Sequence, residues 1–260
     1  MKNLLASIAV LSAVLMGSAP ASADTLDEIK ARGKVLIGVT TTVPPYGSLD
    51  ANMKPEGYDI DMANMIARDL GVELQLVEVT GPNRIAYLLS KQVDMVVAVF
   101  GVTPERAQSI NFTIPYGSNQ IWVYGRKDQD IPDTEALTGK SVAVVRGTIQ
   151  DGALTRVASE GTTIRRYEDD AIAAGAFLSG QVDALVTGTQ IGKSVLERDN
   201  DRSEAKTLLG VSPYSIGLRK GEPDFLHMVN TFVYSYRMSG ELDQLAKKWI
   251  GGESVPLPSF

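Results

Sequence analysis

Short apolar runs alternate with amphipathic stretches along most of the chain. Val35–Val39 is a β-branched apolar run of strand type, followed by a loop, Thr40–Gly47, that contains Pro44-Pro45. Over Tyr58–Leu70 the apolar residues Ile60, Ala63, Ile66, Ala67 and Leu70 fall at helical spacing. Asp59 and Asp61 stand near its start, where acids suit the helix dipole. Leu74, Leu76 and Val79 mark a second strand, Asn83–Ser90 a helix and Asp94–Val99 a third strand. After Tyr116 the pattern repeats. Strands are expected over Ile121–Tyr124, Ser141–Val145, Ile164–Tyr167 and Asp183–Thr187, and helices near Gln150–Ser159, Asp170–Ser179 and Gln190–Arg198. Two helical patterns, Asp224–Met238 and Glu241–Trp249, close the chain. Strands alternating with helices predict α/β architecture with mostly parallel sheets, and two such runs predict two lobes. Ligands of open α/β sheets bind beyond the carboxyl ends of the strands. The loops after Val39, Val99, Val145 and Thr187 are therefore expected to build one site, provided the lobes face each other.

The first residues stand apart from this pattern. Met1-Lys2-Asn3 is a short positive start, Leu4–Met16 is mostly apolar, and Ala21-Ser22-Ala23 has the small residues of a cleavage site. Together they predict a secretory signal peptide over residues 1–23. The apolar run is too short for a membrane anchor and is broken by Gly17–Pro20.

Composition narrows the function. The chain has no cysteine, which removes disulfides, thiol catalysis, cysteine-based metal sites and a lipidated cysteine. It has a single histidine, His227, and a formal net charge of −6, which loss of Lys2 with the signal segment would make more acidic. That balance argues against a general nucleic-acid binder, and one histidine without cysteine against a transition-metal site. His227 sits in the amphipathic pattern Asp224–Met238 and is expected to be structural. Gly188-Thr-Gln-Ile-Gly192-Lys193-Ser194 resembles a phosphate-binding loop but is one residue short between its glycines. No cofactor is expected.

The segment Asp94–Tyr116 carries the clearest chemistry. Its apolar run ends at Gly101, where backbone can approach another molecule closely, and Arg106 follows shortly after. An arginine near exposed backbone donors is suited to holding a carboxylate through two parallel hydrogen bonds. Pairing of Arg106 with Glu105 on an exposed helix is the competing reading.

Six pieces of the chain, in this order and spacing, resemble the family 3 extracellular solute-binding proteins, the periplasmic amino-acid receptors of ABC importers. They are KVLIGVTTTVPPYG, EGYDIDMANMIARDLG, VDMVVAVFGVTPERAQSINFTIPY, LTGKSVAVVRGTIQ, GQVDALVTG and SIGLRKG. The resemblance implies a type II periplasmic-binding-protein fold. This has two α/β lobes with mostly parallel sheets flanked by helices, joined by two crossing hinge segments. The first lobe would be residues 24–117 plus 214–260, and the second 118–213. It implies a periplasmic, monomeric receptor, not an enzyme, that closes on a small carboxylate ligand and docks on an inner-membrane ABC permease.

The resemblance also assigns a site. Arg106 matches the arginine that grips the α-carboxylate, and Ala98 and Gly101 match positions that offer backbone groups. Thr148, Ile149 and Gln150 begin the second-lobe helix that covers the same carboxylate, where free amides favour an anion; Thr148 also suits ordinary N-capping. Arg84, in Gly-Pro-Asn-Arg, is expected to be a second anion anchor or else a solvent-facing arginine. Tyr46 is a pocket aromatic or a hinge residue, and Phe100 and Tyr116 are walls or core. Gly188 stands where amino-acid-binding relatives usually place an aspartate for the ligand's ammonium. Another acid, the polar groups of Thr187, Thr189 and Gln190, or a ligand without an α-amino group must answer that absence. An organic diacid or modified amino acid is thus the alternative ligand. A dehydratase of cyclic acids is the alternative activity, disfavoured by the lack of a carboxylate next to Gly188 in the sequence.

Overall fold

The computed structural model describes residues 24–252; the expected signal segment and residues 253–260 lie outside the described residues. The helix α1 (Thr25–Arg32) leads into β1 (Lys34–Val39), a small hairpin of β2 (Ser48–Leu49) and β3 (Pro55–Glu56), α2 (Tyr58–Leu70) and β4 (Glu73–Glu78). Then come α3 (Arg84–Leu89), β5 (Met95–Val96), α4 (Pro104–Ala107) and β6 (Asn111–Phe112). The second half holds β7 (Gly117–Arg126), β8 (Ser141–Val145), α5 (Ile149–Val157), β9 (Thr163–Tyr167), α6 (Asp170–Leu178), β10 (Ala184–Gly188), α7 (Thr189–Arg198) and β11 (Ser203–Tyr214). The chain returns through β12 (Gly217–Leu218) to α8 (Pro223–Met238) and α9 (Glu241–Trp249).

These elements form two five-stranded sheets, ordered β4-β1-β5-β12-β6 and β11-β7-β10-β8-β9. Each is parallel in one half and antiparallel in the other. The parallel halves follow from the strand–helix alternation in the sequence. The antiparallel joins arise where the chain crosses between sheets, at the paired ends Gly117 and Tyr214 of β7 and β11. β11 is the longest strand and was not visible as an apolar run. It is an edge strand whose side chains are mostly exposed or half-buried, interrupted by two register shifts. β5 is shorter than the apolar run around it, because the chain leaves the ladder before the cleft.

α2 shows why the first-lobe helices form where they do. Its face of Ile60, Met62, Ala63, Ile66 and Ala67 is buried, and Gly71 ends it in the left-handed region at φ 69°. Glycine takes that conformation without a Cβ penalty.

The crossing is packed with tyrosines. Tyr116 and Tyr214 meet edge to face at 4.9 Å, Tyr46 meets Tyr214 at 5.6 Å, and Tyr58 stacks on Tyr116 at 6.0 Å. All four rings are essentially buried. Aromatic pairs in such geometry each add about 0.5–1.5 kcal/mol beyond their area. Tyr46 is packed into this cluster at the crossing, and Tyr116 and Phe100 are buried side chains as well. Among the described residues no helix is long and apolar enough to cross a membrane, and no group of three or more His, Asp or Glu residues is placed to hold a metal.

Candidate functional site

The carboxyl ends of β1, β4 and β5 face those of β8, β9 and β10 across a cleft. The loops at these ends meet at a cavity with about 640 Å³ of unfilled space, its open mouth included. The first lobe contributes Thr40, Thr80, Arg84 and Ala98, among others, and the second Asn119, Gln150, Asp170 and Thr187.

Arg84 begins α3, and its side chain turns inward. It is only 7% exposed, so it is not a solvent-facing arginine. Its Nη1 donates to the Ala98 carbonyl at 2.9 Å, and its guanidinium lies 4.4 Å from the Phe100 ring centre. Its Nε is buried without a partner. Burial first, and then the charge of Arg106, pull its pKa down to about 9. The Ala98 carbonyl, expected to serve the ligand, is thus already an acceptor for Arg84.

Arg106 is half-buried at the cleft rim, also over Phe100, at 5.1 Å. Burial lowers its pKa to about 10. It donates through Nη1 to the Gly101 carbonyl and through Nη2 to the Gly147 carbonyl at 2.6 Å. The second bond spans the two lobes. Both arginines line one small niche, together with Gly101, Asn119, Ile149 and Gln150. This niche shares Arg84, Asn119 and Gln150 with the larger cavity. Gly101 allows that closeness: a Cβ built there would lie 2.1 Å from Ile149 Cδ1.

The start of α5 is partly engaged internally. Thr148 caps the helix by accepting from the Asp151 amide at 3.2 Å, and its hydroxyl donates to Val145 O at 2.7 Å. Asp151 accepts from the Gly147 amide at 3.0 Å. Thr148 therefore fulfils the capping reading while still lining the cavity. The Ile149 and Gln150 amides, among the described residues, keep no such partner, as expected for the first amides of a helix.

Val99, which lines both niche and cavity, has φ 45°. That is an unfavourable region for a β-branched residue, of a kind that concentrates at ligand sites. Its amide donates to Asp59 Oδ2 at 2.9 Å, and Asp59 Oδ1 accepts from Tyr116 Oη at 2.8 Å. The buried Asp59 thus ties the hinge to the ligand loop. Burial raises its pKa from 3.8 to about 7. The folded protein then binds more protons than the unfolded chain between about pH 4 and pH 7, so this group's contribution to stability falls as pH rises through that window. Thermal unfolding at pH 4.5 and 7.5 is expected to show a smaller relative loss on alkalinisation for Asp59→Asn than for the unaltered protein.

Gly188 ends β10 at the cleft, but Asn119 occupies the space beside it. A Cβ on Gly188 would lie 2.0 Å from Asn119 Nδ2, and Asn119 Oδ1 accepts from the Thr189 amide at 3.0 Å. A side chain at 188 would thus force Asn119, from a different strand, to shift. Gly188→Ala is expected to destabilise the protein by about 1–3 kcal/mol through overpacking. The double variant with Asn119→Ala should recover part of that loss in thermal unfolding.

Two contributors have no signal of their own in the sequence. Asn119 sits in a strand with no motif around it. Thr187, one of the polar groups expected to answer the absence at 188, lines the cavity, and its Oγ1 is buried without a partner. Asp170 read simply as an acid in a helix's first turn. The structure also brings Glu168, Asp169 and Asp170 into the cleft, so carboxylates are present there although none adjoins Gly188 in sequence.

The family model described as bacterial extracellular solute-binding proteins, family 3, matches residues 35–252. The L-cystine-binding protein of Escherichia coli is 28% identical over 231 residues, 88% of this chain and 86% of that protein. The ABC transporter glutamine-binding protein of Bacillus subtilis is 31% identical over 232 residues, 87% of this chain and 85% of that protein. A solved ancestral amino acid-binding protein, described as a precursor of cyclohexadienyl dehydratase, matches with a TM-score of 0.80 at 30% identity, over 87% of this chain and 99% of that one.

Proposed function

This chain belongs to the bacterial extracellular solute-binding proteins of family 3, and we propose that it captures an amino acid between its two lobes and delivers it to an ABC permease. It would work as a monomer in the periplasm after loss of residues 1–23, with lobes of residues 24–117 plus 214–260 and 118–213. One observation carries the ligand class: a buried arginine, Arg84, lines the interlobe cavity, and its buried Nε has no partner. A buried unpaired donor on a cation is costly, and a carboxylate relieves it. Arg106, the Gly101 segment and the helix start at Thr148, Ile149 and Gln150 close over the same niche. The ligand then ties together lobes that Arg106 and Gly147 already bridge, which is the differential binding that drives closure.

A thermal-shift screen tests this reading. Ligand at 100 times its Kd adds about 2.7 kcal/mol of stability, so one amino acid or a narrow group should raise the melting temperature clearly. No response to amino acids or other carboxylic acids would refute the proposal.

Asp170 favours one further reading. Burial lifts its carboxyl to about 7, against the opposing pull of Arg84, and a carboxyl with its pKa near the working pH suits a general acid. It would donate a proton to the departing hydroxyl of a cyclic hydroxy acid; as the C–O bond breaks and water leaves, the ring carboxylate departs as carbon dioxide and its C–C electron pair forms the new ring double bond. Ultraviolet assay of cyclohexadienyl acids decides between the two: steady turnover supports the dehydratase, and no turnover with saturable amino-acid binding supports the receptor.

A further inference from the structure

The cavity carries an acidic wall on the second lobe, beyond the carboxyl end of β9, opposite the buried arginine of the first. Two of its three acids are engaged. Glu168 Oε1 accepts from Arg146 Nε at 3.1 Å, and Asp169 Oδ1 caps α6 by accepting from the Ile172 amide at 2.8 Å. Asp170 is half-buried; among the described residues its carboxylate accepts no hydrogen bond and has no cation within 4.0 Å. It nonetheless lies near enough to Arg84 for each to feel the other's charge. Opposite charges thus line one cavity from two lobes without touching, and a ligand bearing both charges can fit between them.

Two further groups point to an occupant. Thr187, 3% exposed, holds an unpartnered Oγ1 at the same cavity, and Arg84 holds its unpartnered Nε. An ammonium has three donors and needs several acceptors. Position 188, a glycine, offers no side-chain acceptor, and the atom nearest to where a side chain would begin is Asn119 Nδ2, a donor.

We infer that Asp170, with Thr187 of the same cavity, accepts the ligand's ammonium group while the carboxylate lies in the Arg84–Arg106 niche, so that the protein selects a zwitterionic amino acid over its 2-oxo analogue or a diacid. This rests on the binding-protein reading above. A diacid would set its second carboxylate against three acids on one wall, and repulsion between like charges strengthens in a site of low dielectric. A 2-oxo acid would leave Asp170 desolvated without a partner.

Calorimetry tests this with defined probes: the twenty common L-amino acids and L-cystine, then the 2-oxo analogue of the tightest binder. The unaltered protein is expected to bind the amino acid at least about 100-fold more tightly than its 2-oxo analogue. Asp170→Asn should weaken the amino acid by about 100-fold and leave the 2-oxo acid unchanged or tighter, a change of selectivity that a merely structural role would not produce. Asp170→Glu, which keeps the charge, should retain more affinity than Asp170→Asn. Equal binding of amino acid and 2-oxo acid, or undiminished amino-acid binding by Asp170→Asn, would overturn the inference and leave the receptor reading standing. Failure of every amino acid and carboxylic acid to bind would remove both. Circular dichroism checks the fold of each variant, and the ligand pair on the unaltered protein decides even where a variant does not fold.

Discussion

Arg84→Met is expected to weaken amino-acid binding by about 100-fold or more while leaving the folded protein nearly as stable as before. The two effects separate because Arg84 has two kinds of partner. Inside the protein it donates to Ala98 O and packs over Phe100. It also lines the cavity, and its buried Nε has no partner. Hydrogen bonds to charged groups are worth about 1.5–3 kcal/mol each. A carboxylate that loses two of them loses about 3–6 kcal/mol, and each 1.4 kcal/mol is tenfold in affinity. Stability responds differently. Methionine is unbranched and apolar, covers Phe100, and removes the burden of a desolvated cation. Replacing a buried charge by an apolar side chain of similar size is often neutral. The loss at Ala98 O offsets part of that gain, so net stability should move by no more than about 2 kcal/mol. Calorimetry and thermal unfolding on the same sample measure both.

Arg106→Ala should act on closure as well as on contact. Its Nη2 bond to Gly147 O joins the lobes directly, and its Nη1 holds Gly101 O at the point where Ile149 packs. Truncation removes a closed-state interaction and a carboxylate donor together, and affinity should fall by about 10- to 100-fold. A direct sign is expected without ligand: small-angle scattering should show a larger mean radius for the variant than for the unaltered protein. If Arg106 only touched ligand, the free radius would not change. Because Arg106 is half-buried at the rim, its share should shrink with salt more than that of Arg84.

The sequence was most legible where one physical cause dominates. The apolar spacing of Tyr58–Leu70 and of Glu241–Trp249 gave helices with the bounds the structure shows, and the β-branched run Ser141–Val145 gave β8 in full. β11 was hidden because an edge strand needs no apolar run. Its pairing comes from β7, whose paired residues lie 77 to 97 positions earlier in the chain. The same holds for the site. Arg106 and the α5 start were visible because arginines and helix starts advertise anion chemistry locally. Asn119 beside Gly188 was not, since it depends on the antiparallel register of β7 with β10. Asp170 carried a usable signal that was overshadowed. Its Glu-Asp-Asp run follows a strand's carboxyl end, where α/β ligands bind, yet an acid in a helix's first turn has an ordinary explanation. Tyr46, by resemblance a pocket aromatic or a hinge residue, packs among the buried tyrosines of the crossing, a placement set by residues distant in the chain.

Native mass spectrometry can show whether an amino acid bridges Arg84 and the acidic wall between the two lobes. The protein would be presented with an equimolar mixture of L-amino acids, L-cystine, 2-oxo acids and dicarboxylic acids. One adduct per chain, with the mass of an amino acid, is expected, and the same adduct in a strongly reduced share for Arg84→Met under equal conditions. A dominant adduct of 2-oxo acid or diacid mass, or an amino-acid adduct undiminished in Arg84→Met, would refute the bridge.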